Sequence, residues 1–388
     1  MQSDPAKRKL VGIIGSGMLG AEPFGPRTWS GSSVHFFTSL QTLGRLHRAI
    51  GVEARGLTRR WLMARNFHPN RATWRKRFYL DIGYRRALTE QMRRRLQPDD
   101  FEHDFLQVGA FYDVPSIVKG RSRCYSYHDS NLAVSLRSPD SPPGIGAKVI
   151  ERALAYERDV YSRLDRMFTM SESLRQSFID DFDVSPHKVV NVGGGVNFDD
   201  LPEAFPGKRH DTEELLFIGI EFERKGGWEL LKAFKKVRES RPNAKLHIVG
   251  PKKLAIPAEL AGGVVYHGYL SKSDPATNAK LESLFQSSSL FVMPSRYEPF
   301  GIAPLEAMAH EVPAVVTNRW ALREIVTPGQ TGDHVECGSV DSIADTISRL
   351  LADPDSLARM GRAGRDKVLS YYTWSHVIER LLDGLYLL

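Results

Sequence analysis

The stretch LFVMPSRYEPFGIAPLEAMAHEVPAVVT, Leu290 to Thr317, specifies a fold class more sharply than any other part of the chain. Leu290 to Met293 is an apolar run of strand length that Pro294 and Ser295 break. Pro304 sits where a proline suits the first turn of a helix, and Val312 to Thr317 is again β-branched and strand-like. Strand, loop, helix and strand in that order make a βαβ unit, whose loop stands at the carboxyl ends of parallel strands, where open α/β sheets bind ligands. Two carboxylates punctuate the unit, Glu298 in the loop and Glu306 in the first helical turn. Either alone has an ordinary reading, as a solvated loop acid or as an acid favouring its own helix N-terminus.

The surroundings of these acids carry more. The run PSRYEPFGIAPLEAMA, followed by PAVVT and then by Glu324 and the GQTG of Gly329 to Gly332, closely resembles the donor-site signature of retaining glycosyltransferases of the GT-B type, family 4, or glycosyl transferases group 1. The resemblance implies an α/β fold of two Rossmann-like doubly wound domains facing a cleft, with a C-terminal helix crossing back to the N-terminal domain. It also implies a nucleotide-sugar donor, with Glu298 at the sugar and Glu306 at the ribose. Elementary physics agrees, because the N–H groups of Phe300, Gly301 and Ile302, with a helix N-terminus behind them, suit phosphate oxygens. Gly301 lets backbone and ligand approach closely.

At 388 residues with ordinary apolar and charged fractions, the chain is globular and long enough for two domains. The polar MQSDPAKRK runs straight into LVGIIG without a long apolar stretch, so neither a secretory signal nor a spanning helix is expected, and the cytoplasm is the expected compartment. Cys124 and Cys337 form no CxxC and lie in different expected domains, which argues against a disulfide framework or a zinc site. Residues 1–100 hold 19 Lys plus Arg against 7 Asp plus Glu, a net of +12, so the total of +7 leaves −5 for the remainder. A basic half calls for an anionic neighbour: nucleic acid, a membrane surface or a phosphorylated substrate.

Lys9 to Gly15 reads as a first buried strand, and Gly15-Ser-Gly17-Met-Leu-Gly20 satisfies the GxGxxG pattern of a dinucleotide-binding turn. That fingerprint needs a helix opening at the glycines and an acid near the end of the next strand. Pro23 and Pro26 follow instead, helical periodicity begins only near Gly31, and Val52 to Thr58, taken as the next strand, ends in Arg55, Gly56, Leu57 and Thr58. An NAD-dependent oxidoreductase is therefore the weaker alternative. VHFFTSLQTLGRLHRAI places Phe36, Leu40, Leu43 and Ile50 on one helical face, with Ser30 or Ser32 as a cap. By the resemblance the loop before it faces the donor diphosphate, which makes Gly31 a candidate for backbone contact; a plain tight turn is the alternative.

Thr58 to Leu96 is rich in arginine with interleaved Trp61, Phe67, Trp74, Phe78, Tyr79 and Tyr84, and Arg93, Arg94 and Arg95 stand beside an apolar Leu88, Met92, Leu96 spacing. A solvated face and a surface lying on an anionic membrane are both compatible with that pattern. Strand-like runs follow at Asp104 to Phe111 and Arg123 to Tyr127, the second leading into His128 and Asp129. The resemblance implies that His128 meets the donor sugar, with Asp129 orienting it or touching the acceptor; a structural histidine is the alternative. Asp181-Phe-Asp183 is formally a DxD, but it closes a helix before Ser185-Pro186 and reads as a turn rather than a metal holder.

The glycines of NVGGGVN and the polar Asp199 to Glu214 mark an expected linker, which divides the chain into an acceptor-side domain, residues 1–205 joined by 374–388, and a donor domain, residues 206–373. The donor domain opens with the strand Leu215 to Gly219, then Arg224 and Lys225 ahead of Gly226-Gly227. Cations at such a turn suit a departing diphosphate. The family pattern has an arginine directly after the strand glycine, where this chain has Ile220, so Lys225 carries the role more firmly than Arg224. Tyr269 and Leu270 are placed to flank a base.

The expectation is a retaining glycosyltransferase that needs no metal and no cofactor, taking a sugar from a UDP- or GDP-sugar to a glycan or lipid-linked acceptor hydroxyl in polysaccharide or glycolipid biosynthesis, with peripheral contact to anionic membrane and no nucleic acid. A nucleotide-sugar epimerase of the same fold is the main alternative, and product analysis separates the two.

Overall fold

The computed structural model describes residues 8–15, 21–26, 28–139, 141 and 144–386. The chain divides into two compact units, Met1–Asn197 with Trp374–Leu388, and Phe198–Thr373. The division falls before the expected 205/206. From Phe198 onward the chain packs on the second unit: the Phe198 ring lies 5.4 Å from that of His310 and under the Lys272 ammonium, and Lys208 Nζ donates to the carbonyls of Phe285, Gln286 and Ser288.

In the first unit six strands, β1 Leu10–Gly15, β2 Leu46–Val52, β3 Asp104–Val108, β4 Cys124–His128, β5 Arg166–Thr169 and β6 Val189–Asn191, pair in the order β2-β1-β3-β4-β5-β6, all parallel. In the second, β7 Glu214–Ile218, β8 Lys245–Val249, β9 Val264–Gly268, β10 Leu290–Met293, β11 Ala314–Thr317 and β12 Gly332–Val335 pair as β12-β11-β10-β7-β8-β9, again all parallel. Parallel strands need both faces covered, which is why Leu215 to Phe217, Leu290 to Met293 and Ala314 to Thr317 are buried along their whole length. The helices Gly227–Ser240, Pro275–Ser287, Ile302–Ala309, Val340–Leu350 and Pro354–Tyr371 belong to this unit.

Four sequence expectations are corrected. The helical face drawn through Ile50 stops early: the helix is Ser32–Thr42, Gly44 at φ 67° ends it, Leu43 is exposed, and Ile50 lies in β2. The second strand is therefore Leu46–Val52 rather than Val52 to Thr58, and an acid does follow it, Glu53, paired with Arg55. No serine side chain caps the first helix; Gly31, at φ 90°, is its N-cap. The glycines of NVGGGVN are buried rather than a free linker: Tyr127 Oη donates to Gly193 O at 2.7 Å, and a Cβ on Gly195 would sit 2.2 Å from Trp374, the first residue of the returning helix Trp374–Tyr386.

Of the GxGxxG, only Gly15 falls within the described residues, at the end of β1. Among the described residues the next α-helix opens at Ser32. The DxD is a helix end. Asp183, at φ 57°, is the C-cap of Glu172–Phe182, while Asp181 takes Ser177 Oγ and Arg137. Among the described residues no helix is long and apolar enough to cross a membrane.

Candidate functional site

Read from its own first strand, the second sheet has the order 3-2-1-4-5-6, so the direction of winding reverses between β7 and β10. Crevices at the carboxyl ends of two such strands are where doubly wound sheets hold nucleotides. Both loops that carry the expected donor residues leave from there. Residues 219–226 follow β7 and residues 294–301 follow β10, and the backbone N–H of Arg296 donates to Arg224 O at 2.9 Å.

Glycines let these loops close on one another. Gly226, at φ 75°, is the N-cap of Gly227–Ser240, and a Cβ there would stand 2.1 Å from Pro294 O. Gly219 lies under the Lys225 stem, and a Cβ on it would meet Lys225 Cδ at 2.3 Å. Lys225 is thereby aimed across the crevice: its Nζ lies 2.9 Å from Glu298 Oε2 and 3.4 Å from Met293 Sδ. Arg224 Nη1 lies 3.6 Å from the same carboxylate oxygen and donates to Tyr297 O, which pins the loop. Glu298 is 9% exposed, held by two cations yet open at one edge. The structure thus brings Arg224, Lys225 and Glu298 together.

Behind Glu298 the chain turns into the helix Ile302–Ala309 through Gly301, at φ 114°, where no side chain caps the helix. The uncapped N-terminus leaves the first N–H groups, with the positive end of the helix dipole, for an anion. Phe300 is buried and lies 6.3 Å from the Tyr372 ring, so its backbone rather than its side chain faces the loop. Glu306, 6% exposed, projects one turn further on and pairs with Lys272 from the loop after β9. Lys272 was not singled out from the sequence. GYLSKSDP reads as an ordinary polar loop, and only the fold carries it to Glu306. Tyr269 is exposed in the same loop.

In the first unit, Trp29 and Ser30 take left-handed φ values of 48° and 56° ahead of Gly31. Left-handed backbone at residues other than glycine persists only where neighbours hold it. Here Trp29 Nε1 donates to Asp129 Oδ2 at 2.8 Å, its indole packs against Phe36, Tyr127 and Trp374, and Asn197 reaches Ser30 O and Ser32 Oγ. Trp29 is a second residue that sequence reasoning passed over. Asp129 and the Gly31 loop are brought together; His128 is turned away from them. Its ring is 1% exposed, packs on Phe178 and Tyr161, and meets Ser126 Oγ at 2.8 Å. Burial pushes its pKa down to about 3, so the ring is neutral.

Among the described residues, one group of side chains has metal-binding geometry, His47, Asp99 and Asp100. Asp100 already accepts from the Arg48 guanidinium and from Gln97 N, which makes it a poor ligand, and His47 stands near the amino end of β2, away from the carboxyl-end loops.

Residues 201–367 match the protein family described as Glycosyl transferases group 1. The second unit carries a glycosyl transferases group 1 domain. A glycogen synthase of Mycobacterium tuberculosis is 25% identical over 283 residues, 71% of this chain and 64% of that protein. The chain spans less than two thirds of that relative's length. Sucrose-phosphate synthase from Thermosynechococcus elongatus superposes with a TM-score of 0.69 at 16% identity, covering 98% of this chain and 99% of that one. Anabaena HepE, solved with UDP and glucose, gives 0.63 at 14% identity over 98% and 100%. At such identities the likeness is one of fold, and the fold is GT-B.

Proposed function

We propose that this protein is a retaining glycosyltransferase that moves a sugar from a UDP- or GDP-sugar to the hydroxyl of a glycan or lipid-linked acceptor, without metal or cofactor. The observation that carries the reading is the Lys225–Glu298 pair at 2.9 Å, set across the strand reversal of a group 1 domain beside an uncapped helix N-terminus. A diphosphate in that crevice would take Lys225 and Arg224 as charge partners and the backbone at Gly301 and Ile302 as donors. Glu298, released from Lys225, would accept from sugar hydroxyls, and Glu306 from the ribose.

In the reaction the bond from the anomeric carbon to the phosphate oxygen breaks, and a bond to the acceptor oxygen forms on the same face. The acceptor proton passes to the departing phosphate. Side chains then act by holding the donor and stabilising the charge that collects on the leaving group, which is a large catalytic term in its own right. His128, neutral and buried, fits this scheme as a group that positions the end of β4 rather than one that exchanges a proton.

The reading is tested by melting the protein with UDP, GDP and their sugars, since a ligand of the native state raises its melting temperature. One nucleotide should stabilise the wild type and, at the same concentration, stabilise Lys225→Ala less. Absence of stabilisation by every nucleotide would remove the donor site. Proton NMR of the product gives the anomeric configuration; an inverted product would remove the retaining assignment.

A further inference from the structure

Between Glu53 and Asp81 the sequence holds eight Lys or Arg and not one Asp or Glu. The structure builds this segment as two helices, Gly56–Arg65 and Arg71–Leu80. The first rests on the unit through Leu62, which is buried, and through Trp74 Nε1, which donates to Met63 O at 2.9 Å. Its other face shows apolar side chains to solvent. Leu57 is 81% exposed, Trp61, one turn on, is 58% exposed, and Phe67, just past the helix end, is 62% exposed. Leu57 and Trp61 stand at i and i+4 and share a face. Arg60 flanks that face, and the Arg65 guanidinium lies 5.1 Å over the Trp61 ring.

Scattered exposed apolar residues need no explanation, but a leucine, a tryptophan and a phenylalanine within one short stretch, fringed by Arg55, Arg60 and Arg65, form a patch with a direction; Arg55 also pairs with Glu53, and Arg65 lies 3.5 Å from Asp81. We infer that this face docks in the plane of a lipid leaflet bearing anionic headgroups. Leu57 and Phe67 enter the acyl boundary, the Trp61 indole sits at headgroup level, and Arg55, Arg60 and Arg65 reach lipid phosphates with their stems along the apolar surface. A second copy of this chain is a poor occupant, because a two-fold contact would bring the same acid-free segment against itself. Nucleic acid would use the arginines and the aromatic rings but gives no place to an almost fully exposed leucine.

The surface is narrower than the Thr58 to Leu96 expected from the sequence, and its centre differs. Arg93 and Arg94 sit on the helix Ile82–Arg95, within 3.5 Å and 3.1 Å of Glu90, and that helix turns Tyr84, Leu88 and Met92 inward.

Co-sedimentation with vesicles of phosphatidylcholine plus phosphatidylglycerol, and of phosphatidylcholine alone, tests the inference on the full chain without using its activity, so its failure is separable from failure of the donor site. Binding should require phosphatidylglycerol and fade with salt. Each of Arg55→Ser and Arg60→Ser should weaken it about fivefold. The combined Leu57→Ser, Trp61→Ser, Phe67→Ser variant alters only exposed side chains and should lose at least about tenfold. Arg93→Ser with Arg94→Ser should bind within about twofold of wild type. Retention of the protein in the supernatant with both vesicle types, undiminished binding by the combined variant, or tighter binding to an oligonucleotide than to anionic vesicles would overturn it.

Discussion

Lys225 Nζ lies 2.9 Å from Glu298 Oε2, and this pair joins the loop after β7 to the loop after β10 at the place where the sheet reverses its winding. The two residues are 73 positions apart in the sequence. A donor diphosphate would compete with Glu298 for the same ammonium, so only the lysine substitution should weaken nucleotide binding. Lys225→Ala should weaken binding of the nucleoside diphosphate about tenfold, as the loss of one charge-assisted contact does. Glu298→Ala should leave that binding unchanged or tighten it while lowering kcat/KM at least about a hundredfold. Arg224 at 3.6 Å still faces the carboxylate in the lysine variant, so far-UV circular dichroism should be unchanged in both. Titration calorimetry and initial rates decide, and equal weakening of nucleotide binding by the two variants would contradict the competition.

Glu306 offers a sharper probe of nucleotide orientation. Its carboxylate is nearly buried but pairs with Lys272, which is half-open to water and can solvate itself when the acid is removed. Glu306→Ala should therefore fold normally and bind the preferred nucleotide about tenfold more weakly. A dideoxyribose analogue should be penalised in the wild type and not further penalised in the variant. Additive penalties would place the ribose elsewhere.

Transfer should persist in EDTA. In the proposed reaction leaving-group charge would be met by Lys225, Arg224 and the helix end at Gly301, whereas Asp181 lies in the last turn of a helix that Asp183 caps, and the two are engaged by Ser177, Arg137 and Arg158. Rates after extensive chelation should stay within about twofold of those with added Mn²⁺. A strict requirement for the ion would show that another group holds it at the phosphates.

Much of the second unit is legible in the sequence because its strands are short apolar runs ended by Gly or Pro, and Leu290 to Met293 is read to the residue. The first unit is harder. β2, LHRAIGV, mixes His and Arg into an edge strand, so its residues continue a helical pattern that only Gly44 interrupts. Of the candidate site, Glu298, Glu306 and Lys225 stand in motifs that can be read locally; Lys272 and Trp29 are engaged through tertiary contact alone and leave no local signal. His128 shows the limit from the other side: its position at the end of β4 is correct, but strand alternation turns its ring with Ser126 into the core, and Asp129 toward Trp29.

That burial has a pH signature. In the folded chain His128 is held neutral with a pKa of about 3, and in the unfolded chain it titrates at its ordinary value near 6.5. Below about pH 6.5 the unfolded state takes up a proton that the folded state refuses, so stability falls with pH at about 1.4 kcal/mol per unit until about pH 3. His210 and His267, each held near 4, act in the same direction in the second unit. Urea unfolding of wild type and His128→Gln between about pH 7.5 and about pH 5 isolates the first contribution. The variant should show the shallower dependence, and parallel curves would mean that the ring protonates within the fold.

Gly226 supplies the test of why the two loops meet. Its φ of 75° costs a residue with a Cβ about 1–2 kcal/mol, and the Cβ would lie 2.1 Å from Pro294 O, a backbone atom with no rotamer to escape into. Gly226→Ala must therefore push the β7 loop away from the β10 loop. Neighbouring Gly227 differs: a Cβ there meets the Phe222 side chain at 2.4 Å rather than backbone of the β10 loop. Lys225 and Arg224 ride on the displaced loop, so Gly226→Ala should lose nucleotide binding by about as much as Lys225→Ala, although it removes no charge. It should also lower the melting temperature of the second unit, which Lys225→Ala should not. Calorimetry of both variants distinguishes the two, and a Gly226→Ala protein that binds nucleotide like wild type would show that the contact between the loops does not set the position of Lys225.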